Sequence, residues 1–325
     1  AQLRANVITK NIQKKNLRRT LMSRIPNNIH IVYGLAPDFG WTEYDRYDSN
    51  LGRTIRRPAA DPFNIIRYLT VKSAWDINKP DNIYFYYQHE PYGELWDAVQ
   101  KYITPVKIEA PTEIFGNPVK HFALKTDIIR LQILLEDGGI YLDSDVLCLK
   151  PFTPYLNIEG SKGGCVIGRE GMFDDKLTNA VLMAEKDSEF CKRWLAEFTS
   201  FDGTWAKHGV MVPYQLSKEY PDLVTVADHK KFTWPLYHTD AMKWLYRGVG
   251  WNDSNDIVCD IGGPLHSNET LEESYCIHLW ANKHVTNEFV KDFPDNTMND
   301  WMTVDCIRNV DTPFNILARE FIKEL

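Results

Sequence analysis

The sequence predicts an α/β fold, a mostly parallel central sheet flanked by helices. Short apolar runs alternate with segments of helical period between residues 25 and 150, and strands separated by helices pair in parallel. Residues 124–135 carry an apolar helical stripe that stops at Gly138-Gly139, directly before another apolar run. At 325 residues, with 44% hydrophobic and 25% charged, the chain can bury a full core.

Residues 1–24 are basic, and Arg4, Lys10, Lys14, Lys15, Arg18 and Arg19 interrupt any apolar run there. They read as a solvated helix or stem, not as a signal peptide. Pro26 precedes the alternation Ile29, Ile31, Tyr33, a first strand that ends at Gly34. Residues 35–61, rich in Gly, Pro, Asp and Arg, read as an irregular loop. A helix with Ile65, Ile66, Leu69 and Ala74 on its apolar face leads to a turn at Asn78-Lys79-Pro80-Asp81. Ile83 to Tyr87 is a second strand, Leu95 to Val99 a short helix and Val106 to Ile108 a third strand. The chain has no internal repeat and no low-complexity tract.

Residues 121–152, HFALKTDIIRLQILLEDGGIYLDSDVLCLKPF, are the informative block. Leu124, Ile128, Leu131 and Leu135 fall at i, i+4, i+7 and i+11, one buried helical stripe. Gly138 and Gly139 end the helix, because glycine accepts the left-handed conformation there. Ile140 to Leu142 is then a short strand running into Asp143-Ser144-Asp145. On a strand of period two, Asp143 and Asp145 share one side. Carboxylates that close repel unless they lie at an exposed strand end or beside a cation. The C-terminal ends of strands are where open α/β sheets bind ligands. Asp127 and Arg130, one turn apart on the preceding helix, form an i,i+3 ion pair or face a bound diphosphate and sugar hydroxyls.

Bulk properties narrow the partners. A net charge of −7 argues against nucleic acid. Ten Trp and 16 Tyr suit either stacking on flat ligands or a large aromatic core. No run approaches the roughly 18 apolar residues of a transmembrane helix. The six cysteines, Cys148, Cys165, Cys191, Cys259, Cys276 and Cys306, include no Cys-x-x-Cys pair, so no zinc cluster is expected. Their even number permits disulfides without requiring them. The triplets at Asn252 and Asn268 have the form of glycosylation acceptors, which arise by chance in a chain of this length.

The block resembles the core of glycosyltransferase family 32, SDxxRxxxLxxxGGxYxDxD. That family includes fungal mannosyltransferases and α1,4-galactosyl- and α1,4-N-acetylglucosaminyltransferases, and the clostridial toxin glucosyltransferases share a similar core. Arg24 to His30 resembles the opening IPkiIH strand, and Lys176 to Met183 a helix after the metal site. His208 to Pro213 stands in the place of a GP helix start and Phe232 to Pro235 in that of an FYP turn. Ser274 to Trp280 resembles the closing AxHxW strand. Here Lys125 and Thr126 replace a small residue and Ser, and the GP pair is split between Gly209 and Pro213.

The resemblance implies a GT-A fold over residues 25–325, with a nucleotide-sugar half at about 25–150 and an acceptor half at about 151–325. It implies a nucleotide-sugar donor, a glycan, glycolipid or glycoprotein acceptor, and retention of anomeric configuration. Asp145 would ligate a divalent metal, with His278 a second ligand and Asp143 touching the ribose, the sugar or the metal. Asp127 and Arg130 would hold the transferred sugar, and Asn179 and Tyr33 join the donor-binding set. Asp145, Asp143 and Arg130 are thus the candidate catalytic residues. A carboxylate and imidazole donor set suits Mn²⁺ or Mg²⁺, and a cation between phosphates stabilises a diphosphate leaving group. His278 also reads as a core histidine beside Trp280. The closing His278-Leu279-Trp280 favours UDP-sugars over GDP-mannose. The 35–61 loop, with Trp41, Tyr44, Arg53 and Arg56, is a candidate acceptor lid.

Two other functions fit parts of the pattern. Asp143-Ser144-Asp145 also looks like a haloacid-dehalogenase phosphatase motif, but its first-strand position and its later Gly-Asp-x-x-x-Asp site are missing. A non-catalytic sugar-nucleotide-binding protein would use the same ligands without turnover. The compartment stays open: Golgi lumen for the body of a type II membrane protein, cytoplasm otherwise.

Overall fold

The computed structural model describes residues 24–37, 39, 62–157, 159–173, 175–236, 245–246, 271–281 and 302–325, with the backbone of short strands at 46–48, 53–55, 249–251 and 257–259. The basic lead-in, most of the 35–61 loop with the side chains of Trp41, Tyr44, Arg53 and Arg56, Asp174, Asn252, Asn268 and the Cys259 side chain lie outside the described residues.

β1 (Asn28–Val32) is followed by a ribbon of β2 (Arg46–Asp48) and β3 (Arg53–Ile55), then α1 (Ile65–Asn78), β4 (Asn82–Tyr87), α2 (Glu94–Val99) and β5 (Thr104–Lys107). A second ribbon, β6 (Glu113–Ile114) with β7 (Asn117–Pro118), precedes α3 (Phe122–Asp137), β8 (Gly139–Leu142) and β9 (Val146–Cys148). The hairpin of β10 (Cys165–Arg169) and β11 (Leu177–Ala184) leads to α4 (Glu189–Ala196), α5 (Val212–Glu219), β12 (Thr225–Ala227) and α6 (His229–Phe232). β13 (Val249–Trp251), β14 (Ile257–Cys259), β15 (Cys276–His278), α7 (Val304–Asn309) and α8 (Pro313–Ala318) follow.

Seven of these strands form the central sheet, in the order β12-β10-β11-β8-β1-β4-β5. β1 pairs in parallel with β4 and β8, and β4 with β5. β11 alone is reversed, antiparallel to both β8 and β10. The expected mostly parallel sheet is therefore present, and both of its faces are covered, as such sheets require. Ile29, Ile31, Phe85, Ile140 and Leu142 pack on the α1 side, where α7 and α8 also contribute Ile307 and Phe314. Val32, Tyr86, Tyr141 and Leu182 pack on the other side, against α3 and α4.

Local chemistry explains the helix that matters most. α3 begins where His121 Nδ1 accepts a hydrogen bond from Ala123 N and ends at Gly138, φ +67°. A Cβ on Gly139, φ +119°, would lie 2.7 Å from Asn28 O and 2.7 Å from His30 Nε2. The two glycines thus end a helix and let β8 slide close against β1.

One expectation is corrected. Lys176 to Met183 is not helical; Leu177–Ala184 is the longest strand of the sheet. A short, largely apolar segment of this length has no periodicity that separates a strand from a buried helix. Its neighbours decide: Val181 and Met183 enter one core and Leu182 and Ala184 the other. The five described cysteine side chains are free thiols, and among the described residues no helix is long and apolar enough to cross a membrane.

Candidate active site

Parallel pairing puts the C-terminal ends of β1, β4 and β8 on one edge of the sheet. Asp143 follows β8 there, and α3, which runs back to β8, starts at the same edge. Asp143-Ser144-Asp145 is a turn between β8 and β9, not a continuation of the strand. The two carboxylates still converge, because β9 pairs antiparallel with β15 and places His278 opposite Val146. Asp143, Asp145 and His278 each offer a ligand atom, all within 4.8 Å of one another.

Each carboxylate has one oxygen held by protein and turns the other to the histidine. Asp143 Oδ1 accepts from Tyr141 OH at 2.9 Å and lies 3.2 Å from Arg130 Nη1, while its Oδ2 lies 3.9 Å from His278 Nε2. Asp145 Oδ2 accepts from Ala281 N at 2.9 Å, while its Oδ1 lies 3.4 Å from His278 Nε2. Leu279 N donates to the Asp145 carbonyl at 2.8 Å, so the closing strand grips both ends of that residue. Burial works to raise the Asp145 carboxyl, but His278, Arg67 and the Ala281 N–H outweigh it and hold it at about 2. For His278, burial favours the neutral ring, yet Asp145 and Asp143 raise it above its ordinary value. Two carboxylate oxygens and one imidazole nitrogen, with Asp145 and His278 buried and Asp143 half-buried, fit a hard divalent cation in place of the proton. The His278 and Trp280 rings are 4.1 Å apart, so the histidine is both packed against Trp280 and turned to the acids.

Arg130 is buried and fully engaged. It donates to Asn179 O at 2.5 Å and to Thr126 O at 3.3 Å, lies 3.3 Å from Asp127 Oδ1, and stacks 4.3 Å over the Tyr141 ring. Asn179, on β11, donates to Asp127 Oδ1 at 2.7 Å. The i,i+3 ion pair therefore exists as one link in a chain from Asp127 through Arg130 to Asp143. Gly209 closes over that chain: a Cβ there would lie 2.7 Å from Asp127 Oδ2 and 3.1 Å from Asn179 Nδ2. Burial raises the Asp127 carboxyl, against the pull of Arg130 and Asn179. Tyr33, just past β1, stacks with Phe39 at 6.0 Å and lies under the Arg67 guanidinium at 4.9 Å. Glu170 lies near enough to His278 to favour its charged form.

Arg67, Thr70, Tyr141 and Ala281 carry parts of this site that the sequence reading left out. The first two were hidden by counting only apolar positions on α1. Arg67, Thr70 and Ser73 recur every three residues on that helix and are all buried, a pattern that marks a polar helix face turned inward.

Comparison with known proteins gives the family. Residues 61–162 match the family described as a glycosyltransferase sugar-binding region containing a DXD motif. The chain is 32% identical over 290 residues to glucan organizing enzyme 1 of Cryptococcus neoformans var. grubii, covering 85% of this chain and 74% of that protein. It is 23% identical over 166 residues to human lactosylceramide 4-alpha-galactosyltransferase, covering 50% of this chain but only 43% of that enzyme. Among solved structures it is similar to the PaToxG glycosyltransferase, with a TM-score of 0.37, 18% identity, and 67% of this chain and 79% of that chain covered. The chain belongs to the family of DXD-containing glycosyltransferases of the family 32 type, and Asp143-Ser144-Asp145 is its DXD motif.

Proposed function

We propose that the chain is a metal-dependent, retaining hexosyltransferase that uses a nucleotide-sugar donor and a glycan, lipid or protein acceptor. The observation that carries this reading is the convergence of Asp143, Asp145 and His278 at the ligand-binding edge of the sheet. Mn²⁺ or Mg²⁺ bound there would supply Lewis-acid stabilisation of the departing diphosphate. Asp145 and His278 would hold the cation, with Asp143 oriented by Tyr141 and Arg130. Asp127 and Asn179 would orient the transferred sugar, and Tyr33 would support the nucleotide. Retention would follow if the acceptor hydroxyl attacks from the leaving-group side, with a donor phosphate oxygen taking its proton. A UDP-sugar is favoured over GDP-mannose, in keeping with the His278-Leu279-Trp280 closing strand.

The test is donor hydrolysis by the wild type and by Asp145→Asn across UDP- and GDP-sugars, with Mn²⁺, Mg²⁺ or chelator. Metal-dependent release of one nucleotide diphosphate, lost in the variant, is expected. Equal turnover in chelator would overturn the metal role, and an inverted product anomer would overturn retention.

A further inference from the structure

The Ser144 carbonyl, between the two acids of the motif, accepts two hydrogen bonds from one helix. Arg67 Nη1 and Thr70 Oγ1, one turn apart on α1, each lie 3.0 Å from it. Both side chains belong to buried residues. Farther along the same face, Ser73 Oγ accepts from Cys148 N at 3.0 Å and Asn78 Oδ1 accepts from Phe152 N at 2.9 Å. α1 therefore runs as a polar rail beneath residues 144–152. Arg67 is the point where that rail meets Tyr33, because its guanidinium also lies 4.9 Å from the centre of the Tyr33 ring.

We infer that Arg67, assisted by Thr70, is a positioning residue that sets the orientation of Asp145 for cation binding and couples it to Tyr33. The inference rests on the metal-dependent reading above. Arg67 Nη1 and the single hydroxyl proton of Thr70, whose Oγ1 also lies 3.2 Å from Ile66 O, bracket the Ser144 carbonyl and so fix the plane of the 144–145 peptide. That plane sets the direction from which the Asp145 side chain leaves the backbone. The closing strand secures Asp145 from the other side, through Leu279 N and Ala281 N. Without the α1 bonds, one anchor would remain and the carboxylate could turn about it. Arginine suits the position because one planar group can donate in its plane and stack on an aromatic face; lysine can donate but cannot stack.

The experiment titrates Mn²⁺ alone into the wild type, Arg67→Met, Arg67→Lys, Thr70→Val and Ser73→Ala. Free Mn²⁺ is followed by electron paramagnetic resonance, and the melting temperature of each protein is recorded. Removing a residue that orients a metal ligand weakens binding by about 10–100-fold, and that loss is expected for Arg67→Met. Thr70→Val should fall in the same direction, and Arg67→Lys between Arg67→Met and the wild type. Ser73→Ala breaks the rail farther from Asp145, so it should lower the melting temperature yet bind Mn²⁺ as the wild type does. Wild-type affinity in both Arg67→Met and Thr70→Val overturns the inference, as does an equal loss in Ser73→Ala and Thr70→Val. If Arg67→Met does not fold, Thr70→Val decides alone. A wild type that binds no Mn²⁺ overturns the metal-dependent reading itself, an outcome distinct from the other two.

Discussion

At the scale of the residue, Asp145 is held by the backbone of the closing strand and by the charges of His278 and Arg67. Its ionised oxygen toward His278 is the group on which charge stabilisation would depend. Losing such stabilisation lowers turnover by about 10²–10³-fold, so Asp145→Asn should show that loss in donor hydrolysis while circular dichroism stays unchanged. Tyr141 acts one step away, by orienting Asp143 through a single hydrogen bond. A hydrogen bond to a charged group contributes about 1.5–3 kcal/mol, so Tyr141→Phe should lower kcat by roughly tenfold or more. A variant with unchanged kcat would remove the tyrosine from the site.

At the scale of the element, the junction of α3 with β8 and β1 does the positioning. Gly139 has no room for a Cβ, and its φ is one that L side chains rarely adopt. Strain of this kind costs about 1–3 kcal/mol, so Gly139→Ala should be destabilised by at least that amount in denaturant unfolding. His30 ties the same junction: its Nε2 donates to Gly138 O at 2.9 Å and its Nδ1 accepts from Tyr86 OH at 3.0 Å. Burial lowers the pKa of His30, although Gly138 O works against it. The unfolded chain thus takes up a proton near pH ~6.5 that the folded chain resists. Stability should fall as pH drops below that value. His30→Gln should flatten this part of the profile, measured as the urea midpoint between pH 7.5 and 5.5, whereas an unchanged slope would assign the dependence to other groups.

At the scale of the whole molecule, the last described segment is part of the same core as α1. Phe314 is fully buried, lies 5.4 Å from the Tyr246 ring, and packs in the cluster that also holds Ile66 and Phe85. Phe→Ala in a core costs about 3–5 kcal/mol. Phe314→Ala should show that loss in denaturant unfolding and should leave Mn²⁺ affinity unchanged where the protein remains folded. A shifted affinity in the folded protein would mean that the C-terminal helices reach the site.

The block from Leu124 to Asp145 was legible in the sequence because each of its parts rests on local chemistry. An apolar stripe at helical spacing, two glycines, a short strand and a pair of acids need no distant partner to be recognised. The family followed from them. Leu177–Ala184 was not legible, because a short, largely apolar segment takes its structure from the strands it lies between. Nor were the contacts of Arg67 and Thr70, which stand 78 and 75 residues from Asp145 in the chain, while His278, 133 residues away, was reached only through the resemblance of its closing strand. Periodicity reports which side of its own element a residue occupies, and the sequence by itself determined that much. Only the pairing of β9 with β15 and the packing of α1 beneath the turn decided which groups meet at Asp145, because those contacts come from tertiary burial of polar groups that must find partners.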